Sequence, residues 1–261
     1  MGEAIAARNT IEISHVFKSF KGIDALKDVS LHCESGHIYG LVGHNGSGKT
    51  VLLKCICGFL NCDRGEIKVN GKIMGKEIDM LANAGIIIEE PGFLRKWSGY
   101  HNLEFLYTIR NKKNKKYLYA VLEKVGLEPG LRRPVGKYSL GMKQRLGLAS
   151  ALIGRPPMLI LDEPTNGLDP VGIHEIRSLI RSLPERLGCT VLVSSHLLSE
   201  IELMADRVGI LNHGRLLFEG TLEELKRGAR ERGYPTDNLE ETFLAMIEED
   251  NLRRGSRACT A

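Results

Sequence analysis

Two periods of apolar and polar residues alternate along this chain. Short, nearly continuous apolar runs recur as HIYGLV (37–42), GIII (85–88), MLILD (158–162), TVLVSS (190–195) and RVGIL (207–211). Runs of this length, bounded by Gly, Pro or carboxylates, read as strands buried on both faces, which is the pattern of a parallel sheet. Residues 10–20 (TIEISHVFKSF) and 66–73 (EIKVNGKI) instead alternate polar and apolar, and the second contains Asn70-Gly71, a hairpin turn signal. They predict a smaller antiparallel section beside the N-terminal part of the main sheet.

From about Ser98 to Leu152 the period lengthens. Apolar residues in HNLEFLYTIR and YLYAVLEKVGL fall three and four apart, which predicts a helical subdomain inserted between two halves of an α/β core. LNHGRLLFEG predicts a hairpin after the last core strand. Beyond Glu223 the chain is highly charged, and its end, NLRRGSRACTA, reads as frayed. The expected fold class is α/β with a mostly parallel core sheet: one domain over residues 9–225 with its helical subdomain at about 98–152, then a charged extension over 226–261. No internal repeat is visible.

Composition narrows the classes further. With 261 residues, 43% of them hydrophobic, the chain can bury a substantial core. No apolar stretch reaches the roughly 18 residues of a membrane span, and MGEAIAARNT lacks the apolar block of a secretion signal, so a soluble, cytosolic protein is expected. The net charge of +4 arises from 36 basic and 32 acidic residues spread thinly, which does not by itself imply nucleic acid. The densest basic run, NKKNKK (111–116), reads as a solvated loop or helix face. Six cysteines include no C-x-x-C pair, so reduced thiols are expected, with Cys55 and Cys57 packing as small apolar residues.

The strongest chemical signal is GHNGSGKT: Gly43, His44, Asn45, Gly46, Ser47, Gly48, Lys49 and Thr50. It follows the strand HIYGLV and precedes TVLLKCICGFL, in which Leu52, Ile56 and Phe59 are expected to share a helical face. Glycines let backbone N–H groups wrap an anion at a helix N-terminus, Lys49 suits β- and γ-phosphates, and the Thr50 hydroxyl suits Mg²⁺. MLILDE supplies the matching acids, Asp162 for the metal through water and Glu163 to polarise an attacking water. Ser139 and Gly141 open a helical run, either as a plain N-cap or as a second anion site. TNGLDP places Asp169 in a turn, and VLVSSH puts His196 at a strand end on the same sheet edge as the phosphate loop.

In this order and at these separations the motifs resemble the ATPase subunits of ABC transporters, over roughly residues 9–225. The resemblance makes Gly43–Thr50 the Walker A loop, Ser139–Gln144 the signature, Met158–Asp162 with Glu163 the Walker B strand, Asp169 the D-loop residue and His196 the switch histidine. Phe20, in KSFKG, is similar to the aromatic that stacks on adenine. The implied cofactors are ATP and Mg²⁺. The implied partners are a membrane permease and a second ATPase subunit, most simply a homodimer, in which each ATP lies between one phosphate loop and the other chain's Ser139–Gly141. That places the protein on the cytoplasmic face of the membrane through the permease, without direct nucleic-acid binding.

Two departures from the common family pattern are informative. The strand GIII leads into Glu89, followed by Glu90, and Glu89 stands where most members have a glutamine; YSLGMKQR carries Leu140 and Met142 inside the signature. Both are similar to ATPase subunits of bacitracin- and lantibiotic-type exporters, which implies export or removal of an antimicrobial peptide. Glu89 is then expected beside the magnesium and Glu90 toward solvent or the permease, while Phe93, Leu94 and Trp97 are expected to contribute to the permease groove. The rival class is a soluble ABC-type ATPase acting on ribosomes or nucleic acid. A single cassette without sustained heptads disfavours it.

Overall fold

The computed structural model describes residues 10–89, 92–236 and 238–258, with side chains through residue 253. Along the chain the strands are β1 (Ile11–Phe20), β2 (Ile23–Cys33), β3 (Ile38–Val42), β4 (Arg64–Val69), β5 (Lys72–Ile73), β6 (Ala84–Ile87), β7 (Met158–Asp162), β8 (Thr190–Ser195), β9 (Arg207–Asn212) and β10 (Arg215–Gly220). The helices are α1 (Lys49–Cys57), α2 (Gly99–Thr108), α3 (Lys115–Lys124), α4 (Leu140–Leu152), α5 (Pro170–Leu187), α6 (Leu198–Glu202), α7 (Leu222–Glu231) and α8 (Leu239–Ala258).

The apolar runs form one six-stranded sheet in the order β10-β9-β3-β8-β7-β6. Its strands pair in parallel except for the terminal hairpin, where His213 and Gly214 turn β9 into antiparallel β10. Every residue of β3, β7 and β8 is buried, as strands covered on both faces require. The alternating segments form the expected second sheet, antiparallel in the order β2-β1-β4-β5. Asn70 and Gly71, both at positive φ, make its β4–β5 turn.

Two apolar cores fill the space on either side of the main sheet. One joins Ile11, Ile13 and Val29 of the antiparallel sheet to Leu52 and Ile56 of α1 and to Leu41 of β3. The other joins the opposite face to the helical subdomain and to α5, α6 and α8. Asp169 caps the N-terminus of α5, Pro170 follows at its first position, and Gly188 ends the helix in a left-handed conformation.

Several expectations need correction. Phe59 lies beyond the end of α1 and is 45% exposed, so of the three residues expected to share a face only Leu52 and Ile56 are buried; Gly58, left-handed at φ 82°, has already turned the chain. The chain end read as frayed is helical through Ala258, and α8 buries Leu239, Phe243, Met246 and Ile247. The boundary placed after residue 225 falls inside α7. Glu90 and Cys259 lie outside the described residues. Cys55 and Cys57 are free and fully buried, and burial pushes both thiols up to about 12.

Candidate functional site

The C-terminal ends of the parallel strands meet at one sheet edge, where open α/β folds collect their ligands. β3 leaves the sheet at Val42 and becomes α1 through Gly43–Gly48. Gly48 has φ 110°, and a Cβ there would lie 2.7 Å from the Ala25 carbonyl oxygen, so both conformation and space demand glycine. At Gly46, φ 81°, a Cβ would meet nothing within 4 Å. The loop is therefore open on one side, above a cavity of about 230 Å³ lined by Asn45, Gly46, Gly48, Lys49, Thr50 and Glu163, among others.

Charged groups converge at this cavity. Lys49 is only 5% exposed, and its ammonium donates to the carbonyl oxygens of Gly43 at 2.5 Å and His44 at 3.3 Å. It also lies 3.4 Å from Glu163 Oε1. Thr50 Oγ1 donates to Asp162 Oδ2 at 2.7 Å, and Ser194 Oγ donates to Asp162 Oδ1 at 2.5 Å. One residue on, Glu163 adopts φ 48°, donates its backbone N–H to Ser194 Oγ at 3.0 Å, and places Oε2 at 2.6 Å from His196 Nδ1. Three strands thus assemble one polar cluster: Lys49 and Thr50 after β3, Asp162 and Glu163 at the end of β7, Ser194 and His196 at the end of β8.

This donor set fits a phosphate chain with a hard cation. A nearly buried ammonium now satisfied by backbone carbonyls can turn to anionic oxygens, and the open loop offers main-chain N–H groups at a helix N-terminus. Asp162 and the Thr50 hydroxyl provide the oxygen ligands that magnesium prefers. Ser47 Oγ, in the same loop, is buried without a hydrogen-bond partner.

Other predicted residues stand apart from this cluster. Ser139 caps α4, its Oγ accepting from Met142 N at 3.2 Å, and both Ser139 and Leu140 are exposed. Gly141 packs toward Leu168, in the turn that leads to exposed Asp169. Asp169 accepts from Gly172 N at 2.8 Å. None of Ser139, Gly141 and Asp169 lines the Lys49 cavity. Phe20 ends β1 at 42% exposure, with the Lys18 ammonium 5.4 Å from its ring centre. Glu89, at φ 61°, pairs with Lys54 of α1 at 2.6 Å, one helical turn beyond Thr50.

Sequence reasoning passed over three groups around the site. Ser194 anchors both Walker B acids, and its signal was one of two serines closing a buried strand. Lys54 was hidden as one lysine of an amphipathic helix. Phe243 of α8 sets its ring 5.0 Å from that of His44 in the phosphate loop.

Comparison with known proteins agrees with this geometry. A family model described as ABC transporter matches residues 26–166. The bacitracin transport ATP-binding protein of Bacillus licheniformis is 41% identical over 239 residues, which cover 91% of this chain and 76% of that protein. The lantibiotic transport ATP-binding protein of Streptococcus pyogenes is 38% identical over 237 residues, covering 91% and 97%. A solved ATP-binding subunit of an ABC transporter matches with a TM-score of 0.79 at 28% identity, over 90% of this chain and 98% of its own. A bacterial ABC transporter cassette solved as a dimer shares the fold, with a TM-score of 0.74 at 24% identity over 81% and 98%. With a family model across more than half of its length and relatives that align over nine-tenths of it, the chain belongs to the ABC transporter family, as an ATP-binding subunit that hydrolyses ATP.

Proposed function

We propose that this subunit powers a separate membrane permease that exports or removes an antimicrobial peptide, and that it works as a homodimer on the cytoplasmic face of the membrane. The observation that carries the ATPase assignment to residues is Glu163, held between Lys49 at 3.4 Å and His196 at 2.6 Å beside the Thr50–Asp162 pair. The peptide substrate rests on the transport names of the bacitracin and lantibiotic relatives, together with IIEEPGF and YSLGMKQR in this chain.

In this reading Lys49 leaves the carbonyls of Gly43 and His44 to bind the β- and γ-phosphates, while Gly46–Gly48 supply backbone N–H donors. Thr50 and Asp162 would hold a magnesium ion, which would supply charge neutralisation at the phosphates. Glu163 orients and polarises the attacking water, and His196 holds the carboxylate in place from its free side. Phe20 stacks on the adenine, and Ser139, Gly141 and Asp169 complete the site of the second subunit. Glu89, once released from Lys54, would be a further oxygen ligand for the metal, a role that suits a carboxylate as well as an amide. Phe93, Leu94 and Trp97 belong to the groove that receives a permease segment. No helix among the described residues is long and apolar enough to cross a membrane, so the permease supplies the spanning part.

The test is Glu163→Gln, which keeps size and hydrogen bonding while removing the base. ATP binding is expected to persist while turnover falls at least about a hundredfold, the usual range for loss of a positioned base. Normal turnover by this variant would remove Glu163 from the chemistry.

A further inference from the structure

Charge is segregated in this molecule. Residues 92–152 contain 13 Lys and Arg against 3 Asp and Glu, a net +10; the remaining residues, with 23 basic and 29 acidic, total −6. Much of the excess gathers at one tip. Between α2 and α3 the exposed stretch 110–116 holds Arg110, Lys112, Lys113, Lys115 and Lys116. Among the described residues only Lys113 of these has an acidic partner, Glu104 at 2.8 Å.

An apolar stripe runs into the same tip. Trp97, His101, Phe105 and Ile109 recur every four residues, from just before α2, along its outward face, to its C-cap, and Trp97 touches both rings that follow it, with centroids 6.5 and 5.9 Å away. Trp97 is 43% exposed, Phe105 49% and Ile109 64%, whereas Asn102 and Leu103 bury the opposite face in the core. A segment that shows solvent a tryptophan, a phenylalanine and an isoleucine in line, ending in a cluster of lysines, has the composition of an element that lies in a lipid headgroup layer.

We infer that the outward face of α2 and the 110–116 tip bind directly to the surface of an anionic phospholipid bilayer. Charge complementarity selects this occupant: the lysines reach the phosphates of acidic headgroups while the stripe enters the interfacial zone. Nucleic acid would use the same charge, but the exposed side chains between Phe105 and the lysines, Leu106 and Ile109, are aliphatic, and the Tyr119 ring already carries the Lys115 ammonium 5.1 Å from its centre. The binding goes beyond the transport reading and needs neither ATP nor a permease; Trp97, which that reading gives to the permease groove, lies where the two surfaces adjoin.

Trp97 is the chain's single tryptophan, so its fluorescence reports from the stripe itself. The full chain is mixed with vesicles of phosphatidylcholine alone, or of equal parts phosphatidylcholine and phosphatidylglycerol. Co-sedimentation and a blue shift of Trp97 emission are expected with the anionic vesicles only, and both weaken as salt screens the charges. At about fivefold per basic residue, changing Lys112, Lys113, Lys115 and Lys116 together to Gln lowers the partition by more than about a hundredfold. Changing Arg227, Arg230 and Arg232 on and beside α7 to Gln leaves it unaltered, and wild-type ATP turnover in both variants shows that they are folded. No vesicle binding by the wild-type chain, equal binding to neutral vesicles, unshifted Trp97 emission, equal loss in the α7 variant, or binding to single-stranded nucleic acid in place of vesicles would each overturn the inference.

Discussion

Ser194 shows how much one hydroxyl can organise. It donates to Asp162 Oδ1 at 2.5 Å and accepts the Glu163 N–H at 3.0 Å, so it ties the proposed metal acid to the proposed base acid. Glu163 sits at φ 48°, a conformation that a non-glycine residue keeps only where its surroundings hold it. Ser194→Ala would leave a buried carboxylate and a backbone donor short of a partner, which costs about 1–3 kcal/mol. Urea denaturation should show that loss, and steady-state kinetics should show kcat falling more than apparent ATP affinity, because Glu163 moves and Lys49 does not. An equal loss of both, or of stability alone, would reduce Ser194 to packing. The carboxylates themselves were legible because acids at the ends of buried strands have few structural uses. Ser194 was not, because a hydroxyl within a strand carries no motif of its own.

The elements divide the same way. Strands β3, β7 and β8 were legible because burial on both faces forces an unbroken apolar run, and few other structures tolerate one. β2 was not singled out: its buried residues Leu26, Val29, Leu31 and Cys33 lose their alternation where Asp28, at φ 59°, interrupts the ladder with β1. Helix α8 was misread because its acidic residues mask a regular pattern, Leu239, Phe243, Met246 and Ile247, at helical spacing. That face ties the C-terminal helix to the nucleotide loop through the contact of Phe243 with His44. Two further bonds fix it, Asn212 Nδ2 to Asp250 Oδ2 at 2.8 Å and Ser199 N to Glu240 Oε2 at 3.1 Å. Phe243 is fully buried, so Phe243→Ala should destabilise the fold by about 3–5 kcal/mol. ATP affinity should fall as well, since His44 loses the ring behind it. Phe243→Leu, which restores most of the volume, should recover stability; if it recovers affinity equally, α8 acts by packing alone, and if affinity stays low, the aromatic contact positions the loop.

At the scale of the whole molecule, the site divides into two halves that do not meet. The Lys49 cavity is open to solvent and lined by residues of the β3, β7 and β2 regions, while exposed Ser139 and Asp169 and half-buried Gly141 stand elsewhere and line no part of it. The order of motifs made the two halves legible, but a single sequence carries no information on how far apart they lie in one chain. Exposed Ser139, with its hydroxyl already used to cap α4, has no stated purpose in a monomer beyond that cap. In the proposed homodimer it faces the γ-phosphate held by its partner, where a helix N-terminus favours an anion. The prediction separates these roles in a background that cannot turn over. Glu163→Gln with ATP should double its mass in size-exclusion chromatography. Adding Ser139→Arg should abolish the doubling, because a long side chain fills the place of the phosphate, whereas ATP affinity of the monomer should stay within about twofold and stability within about 1 kcal/mol, the usual effect of an exposed N-cap. A double variant that still pairs in ATP would put the second half-site somewhere other than the start of α4.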